Sequence, residues 1–418
     1  MKTIQKTYDN GLRVIFEKNN KNVVAVNILF FVGSQNETEN EEGYSHFIEH
    51  LVFKGTPKRS AEKLSKELTF YGADFNAYTS RRLTRFIFKS LKENFEKCFE
   101  IYADMLVNAS FRQGDVDKER NVVIEEMKRC ADDPVEVMYA RVLKNYYYGN
   151  SYAHDELGKE EIIANVTPNE LLEYKNRFYI PQNCVISVVG NLDFNDVDNI
   201  IKQNFAKWFA VKAEPTKVSF ERFKIKINNK FDIVERDDNQ VNVCIHIKSI
   251  LVNSKLKQVA DLYTCILGGS SSSKLYTRIR EQLGFVYTID AFSSFSAQTG
   301  ELCIYFGTRA QNVKKALAEI KSILVNFAEL VTDEELEAAK NFKKSTMEYS
   351  KEKSATVAEM NGSDIHLFGK LISSKTIAAK YNKVTLDDIK EFANKIAAEK
   401  TFNVVAVGKG VKEEDIKF

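Results

Sequence analysis

The stretch VTPNELLEYKNRFYIPQNCVISVVGNLD, residues Val166–Asp193, returns later in the chain as VTLDDIKEFANKIAAEKTFNVVAVGKG, residues Val384–Gly410. In both copies a threonine able to cap a helix opens an amphipathic run, and an apolar strand closes it. The offset is 218 residues (384 − 166 = 218), and the same offset sets VIFEKN (Val14–Asn19) beside DIVERD (Asp232–Asp237). A repeat this long calls for two copies of one folded unit. A chain of 418 residues is also too long for a single core. Each half begins with strand-like apolar runs, VVAVNILFFVG and QVNVCIHIKSI, then passes through long helical stretches to its closing strand. The expected fold class is therefore α+β: two homologous α/β sandwich domains, each a mixed, mainly antiparallel sheet covered by helices. The break is expected near Ala213–Phe220, where Pro215 and short polar residues interrupt the pattern, which gives domains over residues 1–213 and 220–418.

The two halves differ in one chemically informative place. GYSHFIEHL (Gly43–Leu51) carries His46, Glu49 and His50 at i, i+3 and i+4, so on a helix all three side chains project to one side. Two imidazoles so placed can share one metal ion. Catalytic zinc takes three protein ligands and a water, and a carboxylate beside that water must accept its proton. Glu49 stands where that carboxylate is needed. The third ligand is sought in DVDKERNVVIEEMK (Asp115–Lys128), which reads as an amphipathic helix with apolar Val116, Val122, Val123 and Met127. Glu119 and Glu126, seven apart, share a face of that helix. Glu126 can complete the metal shell and Glu119 can hydrogen-bond a ligating imidazole from behind, whereas Glu125 points elsewhere. In the second half, the positions 218 residues on hold Thr264 and Gly268 (46 + 218 and 50 + 218), with Lys344 opposite Glu126. No second copy of the site can be built from them.

HFIEH with a glutamate 76 positions after its second histidine (126 − 50 = 76) resembles the inverted zinc motif of the pitrilysin and mitochondrial-processing-peptidase family, the inverzincins. VGSQNETENEEGYSHFIEHLVFKGTPKRS (Val32–Ser60), FNAYTSRRLT (Phe75–Thr84) and ERNVVIEEM (Glu119–Met127) stand in that family's order and spacing. The resemblance covers essentially the whole chain and suits the bacterial two-domain members. It implies one Zn2+ per chain on His46, His50 and Glu126, with Glu49 as general base and Glu119 behind the ligands. It also implies a clamshell of the two halves around an extended peptide. FNAYTS (Phe75–Ser80) would be an edge strand that pairs with the peptide. Asn76 and Ala77 are expected at the peptide backbone with Tyr78 beside them; the alternative is an ordinary edge strand with Tyr78 packed inside. In YTRIREQLGFVYT (Tyr276–Thr288) the resemblance implies that Arg278 and Tyr287 steady the developing oxyanion. Arg280 competes with Arg278, and both arginines could instead simply cap a helix surface. Phe285 occupies the place where larger clamshell members carry the tyrosine, whereas Tyr287 matches the bacterial pattern.

The expected activity is that of a zinc-dependent endopeptidase on extended or unfolded peptides. Two other readings stay open: a catalytic subunit that needs a motif-less partner for precursor processing, and a non-catalytic scaffold of the same fold. A homodimer is the expected assembly and a heterodimer with a motif-less paralogue its alternative, with a monomer also compatible with the sequence. The net charge of +2, from 60 basic and 58 acidic residues, supplies no global field for nucleic acid or anionic membrane. The short basic clusters Lys54–Lys58–Arg59 and Arg81–Arg82 lack interleaved aromatics and read as solvated faces or substrate contacts. The opening MKTIQKTYDNGLRVIFEK has no apolar h-region, and no run approaches the length of a membrane span. The six cysteines, Cys98, Cys130, Cys184, Cys244, Cys265 and Cys303, are scattered without CxxC spacing. They read as reduced core residues of a cytoplasmic protein.

Overall fold

The computed structural model describes residues 3–210 and 225–418. The expected break at Ala213–Phe220 lies outside the described residues.

In the first unit, β1 (Thr3–Thr7), β2 (Arg13–Lys18), β3 (Val23–Phe30), β4 (Asp74–Thr79), β5 (Thr84–Leu91) and β6 (Cys184–Gly190) form a six-stranded sheet. Its order is β1-β2-β6-β3-β5-β4, with the β2–β6 pair parallel and the others antiparallel. In the second unit, β7 (Phe231–Val234), β8 (Val241–Lys248), β9 (Val286–Phe295), β10 (Gly300–Thr308) and β11 (Phe402–Val407) form a five-stranded sheet ordered β7-β11-β8-β10-β9. Its one parallel pair is β7–β11. The second order repeats the first without β1, so the duplication read from the sequence is a duplication of topology.

The register of that duplication slips by one residue along the chain. The closing strands hold the offset of 218, since Ile186 and Val188 face one core as Val404 and Ala406 face the other (404 − 186 = 218). On the earlier strands Val14 pairs with Ile186 and Phe231 with Val404, which makes the offset 217 (231 − 14 = 217). VIFEKN therefore aligns one residue earlier than DIVERD. Alternation fixes this point, because a one-residue shift would turn every core side chain to the other face.

The central strands β3, β6, β8 and β11 are almost continuously buried, since each sheet is covered on both faces. On one face of the first sheet, Val24, Val26, Ile28 and Phe30 join the main core; on the other, Ala25, Leu29 and Val189 meet the helix Ser354–Phe368. That helix comes close because small residues face the sheet. A Cβ added at Gly362 would stand 2.9 Å from Asn27 Nδ2. In the second unit the equivalent cover is the helix Pro134–Tyr146, whose Met138 and Val142 pack on Val405 and Val407. Asp133 caps this helix by accepting from Val135 N–H at 2.8 Å, and Pro134 opens it where no N–H is required.

These two covering helices divide the chain differently from a single cut near residue 213. One compact unit is Met1–Met127, His154–Ser219 and Ser350–Leu371; the other is Lys128–Ala153, Phe220–Tyr349 and Ile372–Phe418. Each sheet thus takes one covering helix from the opposite half of the sequence. Among the described residues no helix is long and apolar enough to cross a membrane.

Candidate metal centre

The site is built in the first unit on two helices, α1 (Tyr44–Leu51) and α2 (Gln113–Asp132). Phe47, Ile48 and Leu51 of α1 are buried in the main core, which leaves His46, Glu49 and His50 along the other side of the helix. The helix starts at Gly43, whose φ of +100° suits glycine and would strain other residues. The buried carboxylate of Glu37 then accepts from the N–H groups of Gly43 and Ser45, each at 2.8 Å. These are orphan donors at a helix N-terminus, where negative charge is favoured. No motif marks Glu37, because its role depends on a loop that folds back by six residues.

Burial pushes the Glu37 carboxyl up to about 7, opposed by its hydrogen bonds to Gly43 and Ser45 and aided by nearby Glu42. The proton is then held more tightly in the folded chain than in the unfolded one, whose reference is 4.5. Stability from this group is complete below the unfolded value and is lost as pH rises through the folded one. Glu37→Gln is expected to flatten this slope. Urea unfolding should show the parent losing about 3 kcal/mol relative to the variant between about pH 4 and about pH 8.

Val116 and Val123 bury one side of α2, while Val122, read as part of the apolar stripe, is exposed. Val122 lies roughly 100° around the helix from Val123, off the core-facing line. Glu119 and Glu126 stay on one face, as expected. Glu126 Oε2 lies 3.7 Å from His46 Nε2 and 3.6 Å from His50 Nε2. Glu119 Oε1 is 2.8 Å from His50 Nδ1, and its other oxygen binds Lys54 Nζ at 2.6 Å. With the proton on Nδ1, His50 turns its Nε2 lone pair toward Glu126.

The electrostatics suit a cation. Burial, reinforced by the neighbouring His50, lowers His46 to about 3, which keeps its imidazole in the neutral form that binds metal. For His50, burial acts downward but is outweighed by the Glu119 hydrogen bond and the surrounding carboxylates, so its net shift is upward. Burial acts upward on Glu119, yet its bonds to His50 and Lys54 hold it below the usual carboxylate range. Burial raises Glu49, with partial opposition from a 2.7 Å hydrogen bond donated by Thr79 Oγ1. Donor atoms of His46, His50 and Glu126 all lie within 4.8 Å of one another. Two imidazoles and a carboxylate are a donor set for Zn2+, so the residues fit the ion that the motif implies.

Lys54 and Arg59 are internal partners, which corrects their reading as solvated or substrate-facing. Lys54 holds Glu119, and Arg59 bridges Glu67, Glu100 and Asp104 at 2.7, 3.0 and 2.7 Å. Arg81 likewise pairs with Glu156 at 3.0 Å. Long-range carboxylate partners leave no local signature in the sequence. Thr79, also unread as a site residue, reaches Glu49 from the end of β4.

FNAYTS does form an edge strand, β4, at the end of its sheet. Tyr78 is 48% exposed, so it does not pack inside; its hydroxyl accepts from Asn76 Nδ2 at 3.0 Å. Ala77 is buried, and its N–H donates to Asn76 Oδ1 at 2.9 Å. Arg278, Arg280 and Tyr287 belong to the second unit and are engaged there. Arg278 Nε is 3.3 Å from Glu319, Arg280 stacks on Tyr276, and the half-exposed Tyr287 accepts from Arg309 Nε at 2.6 Å. Thr264 and Gly268, 218 residues after His46 and His50, lie in the helix Lys257–Gly268, and Thr264 Oγ1 donates to its own helix at Ala260 O.

Comparison with known proteins extends the similarity along the chain. A family model described as Insulinase (Peptidase family M16) matches residues 13–159, and one described as Peptidase M16 inactive domain matches residues 165–342. An uncharacterized zinc protease of Bacillus subtilis is 31% identical, covering 94% of this chain and 95% of that protein. The beta subunit of the mitochondrial-processing peptidase of Caenorhabditis elegans is 24% identical, over 97% and 90% of the two chains. A solved structure of a protease from Helicobacter pylori superposes with a TM-score of 0.89 at 22% identity, over 97% and 99% of the chains. That likeness shows the two-domain α/β fold.

Proposed function

The chain belongs to the insulinase family of peptidases, family M16, and from that premise we propose that it is a zinc-dependent endopeptidase acting on extended or unfolded peptides. The observation that carries the proposal is the convergence of His46, His50 and Glu126 with Glu49 one turn of helix away. His46, His50 and Glu126 would hold the zinc. When bound, the ion would supply a Lewis acid that polarises the scissile carbonyl and acidifies a water. Glu49 takes the proton of that water as it attacks, and then passes it to the leaving amine. Burial favours this cycle by lifting Glu49 toward the range where a carboxyl can both accept and return a proton. Thr79 holds one carboxylate oxygen and leaves the other for the water.

Glu119 fixes the tautomer of His50, and Lys54 keeps Glu119 ionised. Lys54→Met is expected to weaken zinc binding about tenfold, the lower end of what outer partners of metal ligands contribute. Competition with a chromogenic chelator measures it. The open edge of β4 is the proposed docking strand for peptide backbone, with Asn76, Ala77 and Tyr78 at the contact. Docking there requires the Asn76 side chain to release the Ala77 N–H. The proposal gives Arg278 and Tyr287 the task of steadying charge on the carbonyl oxygen. A dimeric state and a cytoplasmic location complete it.

A second reading is favoured by the similarity to the processing-peptidase subunit: activity that requires a motif-less partner. Cleavage of a quenched fluorescent peptide by the purified chain tests both. Cleavage that disappears with a chelator and returns with zinc supports the endopeptidase. Zinc binding without cleavage, rescued by a partner chain, supports the second reading. Chelator-resistant cleavage overturns the zinc assignment.

A further inference from the structure

The second unit carries a buried cluster that takes no part in the peptidase chemistry. Cys244 and His246 are two residues apart on β8, so both face the side of the sheet covered by the helix Pro134–Tyr146. Cys303 of β10 stands directly opposite His246 in the antiparallel register. The Sγ atoms of Cys244 and Cys303 are 3.0 Å apart, and a nitrogen of His246 joins them in a group whose donor atoms all lie within 4.8 Å. All three residues are at most 3% exposed. Met138 and Val142 of the helix Pro134–Tyr146 close over the thiols together with Val405 and Val407, and the Tyr146 ring abuts the imidazole. Glu301 approaches His246 Nδ1 at 3.6 Å, while its other oxygen accepts from the Tyr147 hydroxyl.

We propose that Cys244, His246 and Cys303 bind one thiophilic d10 cation, Zn(II) or Cu(I), which staples β8 to β10. Two sulfurs and an imidazole are a soft donor set that Mg2+ and Ca2+ do not choose. A binding event releases two thiol protons and leaves two thiolates, whose charge Zn(II) balances and Cu(I) halves in a region closed to water. Closure on every side makes the site structural, loaded as the chain folds, with Glu301 placed behind the imidazole as carboxylates commonly are at metal-bound histidines. Copper(I) accepts three such ligands.

The test uses the full chain refolded under reducing conditions, with Co(II) as the stand-in for zinc and, separately, Cu(I) offered from a chromogenic chelator. The expected result is a thiolate-to-cobalt charge-transfer band, or Cu(I) drawn from the chelator, together with a raised melting temperature. Imidazoles and carboxylates alone cannot produce the sulfur band, so His46→Ala should retain it while Cys244→Ser and Cys303→Ser lose it. If the serine variants do not fold, His246→Gln, which keeps both thiols, should weaken the cobalt band and leave more Cu(I) on the chelator than the parent chain does. A folded parent chain that shows no sulfur band and leaves Cu(I) on the chelator overturns the proposal. A mass lighter by two hydrogens than the fully reduced chain, with both cysteines linked, also overturns it in favour of a disulfide.

Discussion

Glu49→Gln is expected to bind zinc as tightly as the parent chain and to lose kcat by roughly 10²–10⁴-fold. The substitution is nearly isosteric, and Thr79 Oγ1 can still donate to the amide oxygen that replaces Glu49 Oε2. His46, His50 and Glu126 are untouched, so the candidate ligands keep their places. What disappears is the ability to take a proton from the attacking water, since an amide is not a useful base. The measurement is kcat on a quenched peptide with zinc content determined on the same sample. A metal-loaded variant with parental kcat would remove Glu49 from the general-base role, whereas loss of metal would mean that the carboxylate positions the ligands instead.

Glu126→Ala carries the second large effect, on binding. Glu126 Oε2 sits between the two imidazoles, 3.7 Å from one Nε2 and 3.6 Å from the other, and its side chain is 28% exposed. Truncation there opens no apolar cavity, so melting of the metal-free variant should stay within about 0.5 kcal/mol of the parent. Zinc affinity should fall by more than roughly 100-fold, beyond the range typical of partners that only support a ligand. Activity falls with it and returns in part at high zinc. Parental affinity would show that the third donor comes from elsewhere, with the neighbouring Glu125 the first alternative to test.

The candidate metal centre was the most legible part of this chain because it is written in local periodicity. His46, Glu49 and His50 obey helical spacing on one element, and Glu119 and Glu126 obey it on another. The duplicated topology was legible for a related reason: apolar strands and capped helices recur at a nearly constant offset. The one-residue slip was not legible, because VIFEKN aligns acceptably with DIVERD until pairing with β6 and β11 fixes which side chains face inward. Nor was the exchange of covering helices, since Pro134–Tyr146 and Ser354–Phe368 are amphipathic segments whose sequence does not name the sheet they pack on. Lys54 and Thr79 act through tertiary hydrogen bonds and Glu37 through the fold of its own loop, none of which a motif marks. Cys244 and His246 carried a faint signal, alternate positions of one strand, but Cys303 completes the group only through the β8–β10 register.

Back-titration of the metal-free chain with zinc, followed by peptide cleavage, tests the central claim most directly. The account predicts no cleavage without metal and, for the parent chain, a rise that saturates once the His46–His50–Glu126 group holds one equivalent. Under the same conditions Glu126→Ala should show no saturable rise at that stoichiometry. Full cleavage by the metal-free chain, or an equal response to zinc in Glu126→Ala, would contradict a catalytic zinc held by His46, His50 and Glu126.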